Sequence, residues 1–253
     1  MQYRISGSGP VLIFVPGLDG TGELFYRQER ELAKHFMVVT CSLRDSGDFT
    51  YKDLIQDLAD LITKLDKGTV TLCGESFGGT ISLQFALAHP KLLEKLVIIN
   101  SFPYFRNRAL FITGILLLEF IPYKFIQLSR VAAVHLGLLA EDMAIEERER
   151  FISITTKIPK LAVVRRMDLI RRYDIRNKLG EITMPTLFLA ARRDRLQNSV
   201  LEAEFMVGQV SNAKVKILEN MGHIPLPSPK CSLLEIFREM DFLPYLRQHF
   251  LLP

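Results

Sequence analysis

The sequence predicts an α/β chain: a doubly wound, mostly parallel sheet with a helical cap inserted between two late strands. Three observations carry that expectation. Short apolar, β-branched runs alternate with longer helix-patterned segments almost from end to end. Those runs are apolar at successive positions, as strands sandwiched between two helix layers must be. One stretch, 104–180, holds helix patterns but no convincing strand, which divides the chain into a core, 1–103 and 181–253, and an insertion between them.

The expected strands are Val11–Val15, then 36–39, 70–73, 96–99, 186–190 and 215–218. Between the second and third, Leu54, Ile55, Leu58, Leu61, Ile62 and Leu65 recur at helical spacing. Segment 77–88 is apolar nearly throughout and reads as a buried helix. Parallel neighbours joined by helices imply right-handed crossovers. The insertion begins with a greasy part, passes through the charge-dense 141–148, and continues into an amphipathic piece bearing Arg165, Arg166, Arg171 and Arg172.

Composition narrows the class. At 253 residues, 48% hydrophobic and 24% charged, the chain can bury a full-sized core, which excludes disorder and removes the need for disulfide staples. Cys41, Cys73 and Cys231 form no CxxC or metal-spaced cluster, so reduced thiols in the cytoplasm are expected. A net charge of +4 without a concentrated basic stripe or nucleic-acid motif argues against a nucleic-acid partner. The N-terminus lacks the layout of a signal peptide. The apolar run 109–118 is interrupted by Glu119 and Pro122, well short of the roughly 20 residues a bilayer span needs.

The chemistry is carried by Gly74-Glu75-Ser76-Phe77-Gly78-Gly79, which directly follows an expected strand and opens an expected helix. In that setting G-x-S-x-G is a nucleophile elbow. Ser76 sits in a strained conformation at a sharp turn, Gly74 and Gly78 lack side chains that would collide with neighbouring chain, and the Phe77 N–H at the helix N-terminus faces developing negative charge. A serine hydroxyl needs a base, and the base needs a carboxylate to orient it. Of five histidines, His35, His89, His135 and His249 lie at helix ends, in the greasy insertion or near the C-terminus. His223 follows the last strand, where its loop opens toward the elbow. Asp194 stands just past strand 186–190, whereas Asp168 and Asp174 lie among arginines of the insertion and read as ion-pair partners. After strand 96–99 come Asn100 and Ser101, with no carboxylate. The expected catalytic residues are therefore Ser76, Asp194 and His223. The oxyanion donors are the N–H groups of Phe77 and of Leu18, in the glycine-rich turn 16–22. No cofactor and no metal are expected.

These residues resemble the α/β-hydrolase superfamily over nearly the whole chain. Pro16-Gly17 stands where its members commonly carry His-Gly, and Arg44-Asp45-Ser46-Gly47-Asp48 replaces a frequent Arg-Gly-x-Gly-x-Ser turn. The two glycine loops are similar, more narrowly, to the hydrolase part of phytyl ester synthase and diacylglycerol acyltransferase-like proteins. A serine at the elbow separates the chain from the dehalogenases and epoxide hydrolases of the superfamily, which use aspartate there. The resemblance implies a serine hydrolase of the esterase, lipase or thioesterase type, acting on a small-molecule carboxylic ester or thioester. The apolar surface of 109–125 points to an apolar acyl chain, and the four arginines to peripheral membrane contact. An acyltransferase, a cofactor-free lyase and a non-catalytic receptor on the same fold stay open at this point, as does oligomeric state.

Overall fold

The computed structural model describes residues 1–107, 109, 112–115 and 145–244. Among them, seven strands form one sheet: β1 (Tyr3–Ser6), β2 (Val11–Val15), β3 (Met37–Cys41), β4 (Val70–Glu75), β5 (Leu93–Ile99), β6 (Thr186–Ala191) and β7 (Ala213–Leu218). They lie in the order β1-β3-β2-β4-β5-β6-β7. β1 runs antiparallel to β3, and every other neighbouring pair is parallel. All six expected strands are present, and β1 is the addition. Its residues are half-buried or exposed at the sheet edge, so Tyr3-Arg4-Ile5-Ser6 carries no apolar run that would announce a strand.

Among the described residues, the α-helices that position the site and the core include α1 (Tyr26–Leu32), α2 (Tyr51–Leu65), α3 (Phe77–Ala88), α4 (Ile145–Thr156), α5 (Lys160–Arg172), α6 (Ser199–Val207) and α7 (Leu233–Glu239). Because side chains alternate along a strand, β2 feeds both layers. Leu12 and Phe14 pack with Leu32 of α1 and Phe237 of α7. Val11, Ile13 and Val15 join the opposite cluster with α2, α3 and α6. α2 starts where the side chains of Thr50 and Asp53 each accept from the other's backbone N–H, a reciprocal capping box, and it turns Leu54, Leu58, Leu61 and Ile62 inward. α3 is buried on nearly every side, the reason its sequence is apolar all round.

α4 and α5 occupy the insertion between β5 and β6. Phe151 and Ile154 of α4 pack on Leu24, while Leu169 and Ile170 of α5 extend the larger core cluster. Most of the greasy part of the insertion, with His135, and the C-terminal His249 lie outside the described residues. The basic face expected along α5 is largely engaged within the molecule. Arg166 is 1% exposed, Arg165 pairs with Asp48 at 2.7 Å, and Arg171 and Arg172 reach Asp168 at 2.6 and 3.0 Å. Asp174 likewise pairs with Arg176 at 2.7 Å. Among the described residues, no helix is long and apolar enough to cross a membrane.

Candidate active site

β4 ends at Glu75 and α3 begins at Phe77, so one residue must reverse the chain. Ser76 does so at φ 53°, ψ −117°, in the left-handed region that non-glycine residues seldom occupy. The turn is held on both sides. The Ser76 N–H donates to the Ile99 carbonyl at 2.8 Å, and the Ser76 carbonyl accepts from the Ser101 hydroxyl at 2.8 Å. The flanking glycines have steric reasons. A Cβ on Gly78 would overlap the carbonyl oxygens of Val15 and Pro16, and one on Gly74 would overlap Ser82 Oγ and the Gly78 carbonyl.

The structure brings Ser76, His223 and Asp194 together from three separate strand ends. Ser76 Oγ lies 2.8 Å from His223 Nε2, and His223 Nδ1 lies 2.7 Å from Asp194 Oδ2. The Asp194 carboxylate is crowded with donors: Oδ1 accepts from the N–H groups of Leu196 (2.9 Å) and Gln197 (3.2 Å), and Oδ2 also accepts from the Ser199 hydroxyl. Burial opposes its ionisation. Electrostatic attraction to His223, together with hydrogen bonds from His223, Ser199 and the Gln197 N–H, outweighs that and holds the carboxyl below the usual range. An ionised Asp194 accepts only, so Nδ1 carries the imidazole proton and Nε2 presents a lone pair to the serine hydroxyl.

Asn100 is the organiser that sequence reasoning passed over as a missing acid. At φ 44° its side chain accepts the Ala191 N–H at 2.7 Å and donates to the His223 carbonyl at 2.7 Å. Its own carbonyl accepts from Gln197 Nε2 at 2.7 Å. One residue after β5 thus ties the end of β6 to the histidine loop. Its signal was an asparagine, the residue most tolerant of positive φ after glycine, directly past a strand.

The turn 16–22 lies against the elbow. A Cβ on Gly17 would stand 3.5 Å from the Ser76 Cβ and 3.5 Å from the Glu75 carbonyl oxygen. Leu18 borders a cavity of about 200 Å³ that also includes Ser76 and His223. Phe77, as the first residue of α3, has an N–H with no intrahelical acceptor. Apolar residues from the core loops and the insertion complete the wall, among them Leu24, Phe151, Ile158, Val163 and Ile224. Cys41, Cys73 and Cys231 are free and buried, and burial pushes all three thiols up, Cys41 and Cys231 to about 12. Among the described residues, no three His, Cys, Asp or Glu side chains group to hold a metal ion.

Glu75, beside Ser76, is 2% exposed, and its Oε1 is buried without a hydrogen-bond partner. Burial first, then the charge of Asp19, pushes its carboxyl well above the ordinary range. Above about pH 4.5 the unfolded chain releases this proton while the folded chain keeps it, so the contribution of Glu75 to stability falls as pH rises toward its folded-state pKa. Glu75→Gln has no proton to release. Its stability relative to wild type is expected to grow in urea melts as pH is raised from about 5. A difference that stays flat as pH rises contradicts the buried neutral carboxyl.

Comparison with known proteins bears on the fold. A family model described as alpha/beta hydrolase fold matches residues 10–125. An esterase from Thermogutta terrifontis superposes with a TM-score of 0.82, at 20% identity over 96% of this chain and 94% of its own. The chain has the α/β-hydrolase fold. The enol-lactonase of Burkholderia xenovorans LB400 shares that fold at a TM-score of 0.79, with 18% identity over 96% of this chain and 93% of its own. In sequence, the chain is 28% identical over 211 residues to the candidate carbamate hydrolase RutD of Yersinia enterocolitica, a match covering 78% of this chain and 76% of that protein. Within the α/β-hydrolase fold, Ser76, Asp194 and His223 follow β4, β6 and β7 respectively.

Proposed function

We propose that the protein is a serine hydrolase that cleaves a carboxylic ester or thioester bearing an apolar acyl group. The observation that carries this reading is the continuous relay Ser76 Oγ–His223 Nε2–His223 Nδ1–Asp194 Oδ2, at 2.8 and 2.7 Å, opening on an apolar cavity. His223 takes the hydroxyl proton as Ser76 Oγ attacks the carbonyl carbon, and Asp194 stabilises the imidazolium. The oxyanion is received by the N–H groups of Leu18 and Phe77. Collapse of the tetrahedral adduct breaks the bond to the leaving alcohol or thiol, which His223 protonates. Water then attacks the acyl-enzyme with His223 again as base, releasing the acid and restoring Ser76. The names of the relatives, carbamate hydrolase, lactonase and esterase, all denote attack on an acyl carbon, which supports the reaction class over any one substrate.

The insertion acts in this reading as a cap, and among its described residues Phe151, Thr155, Ile158 and Val163 line the cavity. Free, buried cysteines support a cytoplasmic setting. The likeness of the glycine loops to phytyl ester synthases makes an alcohol a possible acceptor in place of water, and the products decide between them. On p-nitrophenyl esters from acetate to decanoate, kcat/KM is expected to rise with the first several methylenes, each contributing up to about 0.8 kcal/mol when buried. Free acid is the expected product even with a long-chain alcohol added. A steady fall in kcat/KM from acetate upward contradicts the apolar acyl site, and an ester product overturns hydrolysis in favour of transfer.

A further inference from the structure

Arg166 sits in the middle of α5, within the insertion, yet its guanidinium is buried against the turn that precedes the first core helix. Nη1 donates to the carbonyl oxygens of Leu18 (2.7 Å) and Asp19 (3.1 Å), and Nη2 donates to the Arg44 carbonyl (2.8 Å). The turn is shaped around it. Gly20 adopts φ +67°, and a Cβ there would overlap the guanidinium. The Gly20 N–H closes the turn onto the Gly17 carbonyl at 3.1 Å, and the Gly20 carbonyl accepts from the Leu43 N–H at 2.8 Å. Asp19 Oδ2 accepts from the Thr21 N–H and hydroxyl at 2.9 and 2.7 Å.

We infer that Arg166 is a positioning residue for acyl transfer: it fixes the oxyanion loop from the insertion side, so that the Leu18 N–H faces the carbonyl attacked by Ser76. The inference rests on the serine-hydrolase reading. Its physical basis is the peptide chain itself. The Leu18 N–H shares its peptide plane with the Gly17 carbonyl, which the Gly20 N–H holds, and the next plane carries the Leu18 carbonyl held by Arg166, so both planes flanking the Leu18 Cα are tethered. Three carbonyls held by one planar fork need an arginine, because a lysine ammonium cannot span them in that geometry.

A second consideration separates this role from simple filling of space. Among the described residues, no carboxylate lies within ion-pair distance of Arg166: backbone carbonyls hold the guanidinium directly, and the carboxylates of Asp19 and Asp45 act on it only at longer range. Such an arrangement is unfavourable for stability compared with a well-packed apolar side chain. It places a fixed positive charge behind the loop that must meet a developing oxyanion, where preorganised charge lowers the barrier. The same helix carries Val163 to the cavity wall, so Arg166 also holds the insertion in register with the loop.

The test compares Arg166→Met and Arg166→Lys with wild type, all normalised by active-site titration. Ser76→Ala is the control. Arg166→Met is expected to lower kcat on the order of 10²–10³-fold, the scale of losing one oxyanion donor, with KM changed less than about threefold. Affinity for a trifluoromethyl ketone, which binds as the tetrahedral oxyanion, should fall by the same factor as kcat/KM. Affinity for the product acid should not. Arg166→Lys is expected to lose tenfold or more in kcat, and it carries the test if the methionine variant does not fold. If either folded variant keeps kcat within threefold and binds the ketone as wild type does, Arg166 is a stability residue and the inference is overturned, even if the melting temperature falls. Wild-type turnover that persists in Ser76→Ala overturns the serine-hydrolase reading instead.

Discussion

Replacing Asp194 by asparagine is expected to lower kcat about 10⁴-fold while leaving the far-ultraviolet circular dichroism unchanged. The size of the loss follows from counting donors. In the native site the carboxylate accepts four hydrogen bonds: Leu196 N–H and Gln197 N–H on Oδ1, Ser199 hydroxyl and His223 Nδ1–H on Oδ2. A carboxamide has one accepting oxygen and one donating nitrogen. The backbone N–H groups cannot turn away, so the amide oxygen stays with Leu196 and Gln197 and the NH₂ faces His223. There it favours the tautomer with a lone pair on Nδ1 and the proton on Nε2. That imidazole donates toward Ser76 Oγ and cannot take its proton. Steady-state kinetics with a p-nitrophenyl ester measures the effect, and a loss smaller than tenfold contradicts the orientation of the relay.

The fold and the relay differ in how much of each was legible in the chain. β2, β4, β5 and β6 are buried on both faces, so their apolar runs stand out, whereas β1 at the edge is half exposed and left no pattern. The elbow was legible because Gly74, Ser76 and Gly78 lie within five residues, although the atoms that the two glycines must clear belong to α3 and to the end of β2. Asp194 and His223 were legible through topology, since each follows a strand at the edge the serine faces.

What escaped the sequence are the residues whose partners are remote. Asn100 bonds to Ala191, 91 positions away, and Arg166 to Leu18, 148 positions away. Nothing near Arg166 in the chain distinguishes it from Arg165, which pairs with Asp48, or from the more exposed Arg172. Helical spacing told that α5 has two faces, but the face turned inward carries a charge, and a hydropathy pattern reads a charge as outward. Glu75 was equally silent. A carboxylate closing an apolar strand is ordinary in sequence, and only the packed structure reveals that its Oε1 meets no donor.

The largest expected loss is at the proposed nucleophile. Ser76→Ala removes the one atom that bonds to the acyl carbon, and kcat should fall about 10⁶-fold, leaving only what the oxyanion donors and the cavity contribute to water attack. The fold should survive, because the backbone bonds of the turn, Ser76 N–H to Ile99 and Ser76 carbonyl to Ser101, do not involve the hydroxyl. Alanine at φ 53° is strained much as serine is there, so little change in melting temperature is expected. A fluorophosphonate reports the same atom without any assumption about substrate, since it phosphonylates only an activated serine. Incubation of the folded protein with the reagent, followed by peptide mass spectrometry, should find one phosphonyl group on Ser76 in wild type and none in Ser76→Ala. An unlabelled Ser76 in folded wild-type protein, or a label carried by another residue and retained in Ser76→Ala, would contradict the assignment of Ser76 as the activated nucleophile.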